Sequence, residues 1–320
     1  MTRITPPKAT WPILRVDSWS DTRDTVHMWS QIVGKVKMAG SPLVNHWWNA
    51  TFAVSARGLA TGAIPVDGRA LDIEFDFADH ELVFRTSDGL HAAMGLRPRT
   101  VADFYAEFVE VLDRLDVTVR IEAAPNEVDP AIPFAQDTTH QSYDAHAMGL
   151  CWQQLVQINR VFQLWRAGFA GKSSPVHLFW GSFDLACTRF SGRTAPRHPG
   201  GAPNCANWVM EEAYSRECAS AGFWPGGSEG MFYAYSYPEA DGYSAQPAGP
   251  DGAHWDSTLG EFVLPYEVVR QSADPDATLL HFLDTTYAAA ADLGDWDRAL
   301  LDVDPHRLDR ELRTDDTTTL

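Results

Sequence analysis

The sequence predicts an α+β fold: two pseudo-repeated helix–antiparallel sheet–helix units packed into one two-lobed body. Three observations predict it. Apolar residues recur at helical spacing around 21–38, 101–115 and 277–293, while 71–77 alternates apolar and acidic residues at strand spacing. The order of these signals repeats in the second half, and a sheet with one apolar face needs helices or a second sheet to cover it.

Each element has its own local reason. Residues 1–20 read as an extended lead-in with Trp11, Ile13 and Leu14 as docking points. Val26, Trp29, Ile32, Val33 and Val36 then form a helical stripe, with Asp21 or Thr22 placed to cap it. Trp47, Trp48, Phe52 and Val54 predict a strand over 45–55, and Leu71, Ile73, Phe75 and Phe77 a half-buried one with an acidic outer face. Turns at Ala78–Glu81 and Ser87–Gly89 make a meander that ends near Met94. Val101, Phe104, Phe108 and Leu112 restore the helical period, and 117–121 reads as a last strand.

The second half echoes the first. WSQIV at 29–33 matches WQQLV at 152–156, and SPLVNHWW at 41–48 resembles SPVHLFW at 174–180. An offset of 132 sets Trp48 against Trp180 and Arg57 against Arg189. Strands at 232–237 and 261–264 and the helix at 277–293 complete the echo. The predicted organisation is an N-terminal segment 1–20, a first unit 21–123, a Pro-rich acidic linker 124–137, a second unit 138–300 and a tail 301–320. The second unit carries loop insertions at 191–207 and 238–257, and long loops on a rigid frame are where function concentrates.

Composition sets limits on function. With 320 residues the chain can bury roughly three quarters of its unfolded surface. Its net charge of −18 disfavours nucleic acid and anionic membrane partners, which need basic patches. The N-terminus has Pro-Pro and Lys where a secretory signal needs an apolar core, so a cytoplasmic protein is expected. Cys151, Cys187, Cys205 and Cys218 include no Cys-x-x-Cys pair, which points to reduced structural thiols. Neither a Ser-nucleophile elbow nor a nucleotide cofactor motif is present.

The strings GKSSPVHLFWGSFDLACTRFSGR at 171–193, EAYSRECASAGFWPG at 212–226 and HMWSQIVGKVK at 27–37 resemble the DUF5996 family of bacterial proteins. The likeness runs from about Trp11 to Trp296. A family of unknown function implies no reaction. Arg216 stands where the family's usual YSHE string has His, so any role of that His would be lost here.

The candidate chemistry comes from the residues themselves. Read as one strand, VHLFWGSFDLACTR sets His177, Phe179, Phe183, Leu185, Cys187 and Arg189 on one face and Trp180, Ser182, Asp184 and Thr188 on the other. Buried His, Asp and Arg need partners, either a structural ion-pair network or a ligand. Glu217 precedes AGFWPGG, where Phe223 and Trp224 offer apolar walls that would raise a carboxyl pKa into the acid–base range. Glu211 and Glu212 read as surface decoration and Lys172 as a helix-end cation. The histidines lack regular metal spacing, yet His177, His140 and Glu217 would suit a divalent transition metal if folding gathered them. Tyr233, Tyr235 and Tyr237 alternate along one strand and serve equally as core or as a stacking surface.

The resulting expectation is an enzyme acting on a small organic molecule in an aromatic-lined cleft. His177, Glu217, Asp184 and Arg189 are its candidate catalytic residues. Trp48, Trp180, Trp224, Phe223, Tyr235 and His46 are its candidate walls. The alternative is a non-catalytic small-molecule-binding or protein-interaction module, and a homodimer fits the acidic surface equally.

Overall fold

The computed structural model describes residues 11–304. The first ten residues of the lead-in and residues 305–320 of the predicted tail lie outside the described residues. Within them the fold is mixed helix and antiparallel sheet, with two six-stranded sheets. Helix α1 (Ser20–Gly40) leads through a 3-10 helix (Asn45–Ala50) into β1 (Ala53–Val54), β2 (Gly58–Ala60), β3 (Ile64–Val66), β4 (Arg69–Asp76), β5 (Glu81–Thr86) and β6 (His91–Gly95). Helix α2 (Val101–Arg114) closes this half, and α3 (Ala145–Ala167) opens the next. There follow β7 (His177–Phe179), β8 (Asp184–Thr194), α4 (Asn207–Ala213), β9 (Arg216–Trp224), β10 (Met231–Tyr237), β11 (His254–Asp256), β12 (Glu261–Pro265), α5 (Tyr266–Gln271), α6 (Pro275–Leu293) and α7 (Arg298–Leu301).

The first sheet runs β1-β2-β4-β5-β6, with β3 also paired to β4, and the second runs β11-β12-β10-β9-β8-β7. Trp29 of α1 is fully buried, stacked on Phe104 of α2 at 4.6 Å and on Tyr143 at 5.5 Å. Leu185, Cys187, Ala219, Ala221 and Phe223 bury one face of the second sheet, where α3 and α6 pack. The sheets meet where Phe52 and Leu178 exchange both backbone hydrogen bonds, at 2.9 and 2.8 Å. One apolar cluster runs from Trp11 through both halves to Trp296, so the lead-in docks through Trp11 and Leu14 while Ile13 stays exposed.

Helix α1 also grips the turn between β7 and β8. The Trp180 indole lies against Gly34, where a Cβ would overlap the ring, and its Nε1 donates to the Ala50 carbonyl at 2.6 Å. His27 Nε2 donates to the carbonyls of Trp180 (3.0 Å) and Gly181 (2.8 Å), and its ring stacks on Phe183 at 5.3 Å. Burial lowers the His27 pKa, so the ring stays neutral and keeps that donor pattern. Phe183 occupies the left-handed region at φ 61°, a conformation that needs such outside support in a bulky residue.

The expected strand over 45–55 is largely helical. His46 and Trp47 adopt left-handed φ values of 58° and 61°, held by bonds to the Ala213 and Val209 carbonyls, and these tertiary bonds override β-propensity. Residues 117–121 form no strand, because Asp116 turns left-handed and the Val117 amide folds back onto Leu112. Strand β9, central in its sheet, had no alternation to announce it.

Two glycine substitutions separate close packing from helix propensity. Gly149→Ala in α3, with open space around its Cβ, is expected to stabilise by up to about 1 kcal/mol. Gly34→Ala gains the same propensity but displaces Trp180, and is expected to destabilise by about 1–3 kcal/mol in denaturant unfolding. Equal effects of the two would contradict the tight contact.

Candidate functional site

A cavity of about 830 Å³ lies on the face of the second sheet that the long helices leave uncovered. Side-chain alternation builds its floor: Asp184, Ala186, Thr188 and Phe190 from β8, Cys218 and Ser220 from β9, Tyr233 and Tyr235 from β10, and Glu261 from β12. The opposite parity, which includes Arg189 and Phe223, faces α3 and α6.

The roof is the 3-10 helix Asn45–Ala50 together with α4. Trp47 and Trp208 pack at 5.0 Å, and Trp47 Nε1 donates to the Val209 carbonyl at 2.8 Å. His46 bolts the roof on. Its Nδ1 donates to the Ala213 carbonyl at 2.8 Å, its Nε2 accepts from Lys172 at 2.8 Å, and its backbone amide donates to Glu212 at 3.1 Å. That pattern fixes the neutral Nδ1–H tautomer, in keeping with a pKa lowered first by burial. Lys172 lies over the Trp48 and Phe190 rings, so it and Glu212 are structural parts of the roof. Lys35 and Met38 of α1 line one side wall, and residues 122–127 supply another part of the lining.

Carboxyl groups gather on the floor. Asp184 is buried, accepting from Ser182 Oγ at 2.7 Å and from the Tyr233 hydroxyl, while burial drives its pKa up. Glu127 lies across Gly181, where a side chain would occupy its carboxylate position. Glu127 is an exposed residue that also lines the cavity, and burial of its carboxyl followed by the charge of Asp184 pushes its pKa up to about 7. Burial, then Asp184 and Asp256, raise Glu261 to about 7 as well. Hydroxyl pairs complete the floor: Tyr214 with Tyr235 at 3.0 Å, and Thr188 with Ser220 at 2.9 Å. Lys35 donates to the Asn126 side chain and lies over the Trp180 ring.

Of the residues expected from sequence, Asp184, His46, Trp48, Trp180, Trp224 and Tyr235 line the cavity together. The others do not join them. Residues 177–189 are a hairpin rather than one strand, and its four-residue turn resets the parity. His177 and Phe179 therefore share the face of Asp184 and Thr188, not that of Arg189. His177 is covered by Thr51, whose hydroxyl meets its Nδ1 at 3.0 Å, and burial followed by Lys37 lowers its pKa to about 3. Arg189 lies beneath the sheet, its guanidinium 3.9 Å from the Trp165 ring centroid and 4.3 Å from that of Tyr287, so it is no anion clamp for the cavity. Glu217 pairs with Arg193 and Ser191 (2.8 Å), Phe223 is core, and His140 pairs with Asp137. Among the described residues no three His, Cys, Asp or Glu groups converge to hold a metal, so His177, His140 and Glu217 form no joint site.

The family pattern spans residues 11–303, nearly the whole described chain. The chain belongs to DUF5996, a family of unknown function. No curated protein and no solved structure matches it. This DUF5996 member therefore has to be read from its own cavity. No helix among its described residues is long and apolar enough to cross a membrane.

Sequence reasoning missed Glu127, Glu261, Lys35 and Trp208. Glu127 sits in the segment read as a linker, and the bonds of Gln31 to Asn126, at 2.8 and 3.0 Å, together with that of its own amide to the Pro203 carbonyl at 2.9 Å, bring it to the cavity. Of the alternating tyrosines, left open between core and stacking surface, Tyr233 and Tyr235 line the cavity.

The raised carboxyls make stability depend on pH. Glu261 holds its proton to about pH 7 in the folded protein but only to its ordinary 4.5 when unfolded, so its contribution to stability is lost as pH rises between these values. Glu261→Gln is therefore expected to raise the thermal midpoint relative to the parent at pH 8 and to leave it unchanged at pH 4. An equal rise at both pH values would contradict the raised pKa.

Proposed function

We propose that this protein is an enzyme that binds a small organic molecule in the roofed cavity and acts on it by carboxyl acid–base chemistry. The observation that carries the reading is the Asp184–Glu127 pair at the floor of an aromatic chamber. A volume of about 830 Å³ falls in the range of small-molecule sites.

The roles follow from surroundings. Ser182 and Tyr233 orient Asp184, while Glu127 titrates near neutrality and so is able both to hold and to release a proton at working pH. Burial raises the pKa of both carboxyls, and the charge of Asp184 raises that of Glu127 further. Glu127 is the general acid and Asp184 the general base, with Trp48 and Trp180 as inner walls and Trp224 at the mouth. The earlier pairing of His177 with Glu217 has no place in this scheme. The reading extends to the body's two-lobed form and its origin in one duplicated module, supported by the WSQIV and WQQLV strings and by an antiparallel meander in each half.

A binding module is the second reading, favoured by the engagement of the floor hydroxyls with neighbouring side chains, Tyr233 with Asp184, Tyr214 with Tyr235 and Thr188 with Ser220. Turnover separates the two. Parent, Asp184→Asn and Glu127→Gln proteins are each incubated with a small-molecule extract of the source cells, and mass spectrometry follows every compound. At least one compound should be consumed by the parent and consumed 10²–10⁴-fold more slowly by the variants, the ordinary scale of general acid–base contributions. A compound retained but never converted would establish the binding module instead.

A further inference from the structure

Resting on that reading, we infer that the cavity takes an organic ammonium: a protonated amine carried on an aromatic or aliphatic body. Four kinds of observation converge on this.

The first is charge. The ionic side chains lining the cavity are Lys35, Glu122, Glu127, Asp184 and Glu261. Glu122 offsets Lys35, whose ammonium is also engaged by Asn126. Three carboxyls are left without a cation among the lining residues. Lys172, the nearest further cation at the roof, is bound to His46. An anionic ligand would meet unbalanced repulsion here, whereas an ammonium supplies the missing charge.

The second is hydrogen-bonding capacity. The floor offers more acceptors than free donors: the carboxyls of Asp184 and Glu261 accept, Tyr233 spends its proton on Asp184, and the Tyr214–Tyr235 and Thr188–Ser220 pairs each spend one of their two hydroxyl protons internally. Among the described residues no protein donor reaches the Glu261 carboxyl. A ligand that brings N–H donors completes this floor, and a carboxylate or phosphate ester does not.

The third is the wall. Indole rings of Trp48, Trp180 and Trp224 line the chamber, and indole is the best aromatic partner for an ammonium. Met38, Met210 and Met231 add thioether surface that adapts to irregular apolar shapes.

The fourth is the mouth. Trp208, Trp224 and Leu259 line the cavity while remaining 56%, 39% and 51% exposed. Large apolar side chains left in water at the opening of a cavity are suited to covering the apolar body of a ligand whose polar head lies deeper. Among the described residues these carboxyls form no group that could hold a metal ion, so the floor suits an organic cation better than a bare metal.

Three probes of equal length and different heads test the inference: 4-phenylbutylamine, 4-phenylbutan-1-ol and 4-phenylbutyrate. Binding to the full chain is followed by tryptophan fluorescence and calorimetry at pH 7.5. The amine should bind at least tenfold more tightly than the alcohol, and the carboxylate more weakly than either. The Glu127→Gln/Glu261→Gln double variant should lose the preference for amine over alcohol while keeping its affinity for the alcohol, a result that loss of folding cannot produce. Equal binding of amine and alcohol, or tightest binding of the carboxylate, overturns the ammonium assignment while leaving the cavity as a small-molecule site. Failure of all three probes to bind overturns both.

Discussion

The grip of helix α1 on the turn between β7 and β8 is the contact on which the rest depends. Gly34 admits the Trp180 indole, His27 ties down two carbonyls of the turn, and Gln31 draws in the Asn126 backbone. Together these fix Ser182 and Asp184 at one end of the sheet and bring Glu127 over Gly181. Residues 122–127 and the β7–β8 turn, more than fifty positions apart in sequence, meet beside the cavity because α1 hydrogen-bonds to the backbones of both. Local strain at Phe183 is tolerated for the same reason, since a left-handed bulky residue persists only where its surroundings over-determine it.

Strand alternation then divides the second sheet into two environments. Beneath it, α3 and α6 seal small and apolar side chains, with Arg189 held among aromatic faces and donating to the Trp165 carbonyl while its Nε has no hydrogen-bond partner. Above it, no long helix covers the surface, and the sheet presents hydroxyls and carboxyls to a roof built from the 3-10 helix and α4. A covering helix would have filled this space with apolar side chains. Its replacement by a short, tethered roof leaves a chamber in which carboxyl groups lose water without gaining counter-ions, and their raised pKa values follow from that geometry.

Legibility in the sequence followed the strength of the local signal. Helices α1, α2 and α6 were readable because their apolar stripes span three or more turns and, in α2 and α6, Thr100 and Asp274 accept from N3 amides in the first turn. The β4–β5 hairpin was readable because its alternation is clean and its turn polar. Strand β9 was not, since Cys218 to Gly222 are all small and carry no period. The turn hidden in WGSF shifted the parity, so His177 and Arg189 were assigned to one face when they lie on opposite faces. Glu127 was invisible for a deeper reason: its segment has no regular structure, and its place is set by partners distant in sequence, Gln31, Lys35 and the Pro203 carbonyl. Trp48, Trp180, Trp224, Tyr235 and Asp184 were found because large aromatic rings and a strand carboxylate both demand a burial partner, and here they share one.

The central claim is that folding creates a chamber in which Glu127 and Glu261 titrate near 7, holding their protons below neutrality and carrying charge above it. Carbon-13 NMR of protein labelled at glutamate side-chain carboxyls, titrated from pH 3 to 9 and assigned with Glu127→Gln and Glu261→Gln, measures this directly. The account predicts two glutamate resonances with midpoints near 7, each missing from its own variant, against others near the ordinary 4.5. Midpoints below about 5 for every glutamate would mean that the floor is open to water and the chamber is not the site described.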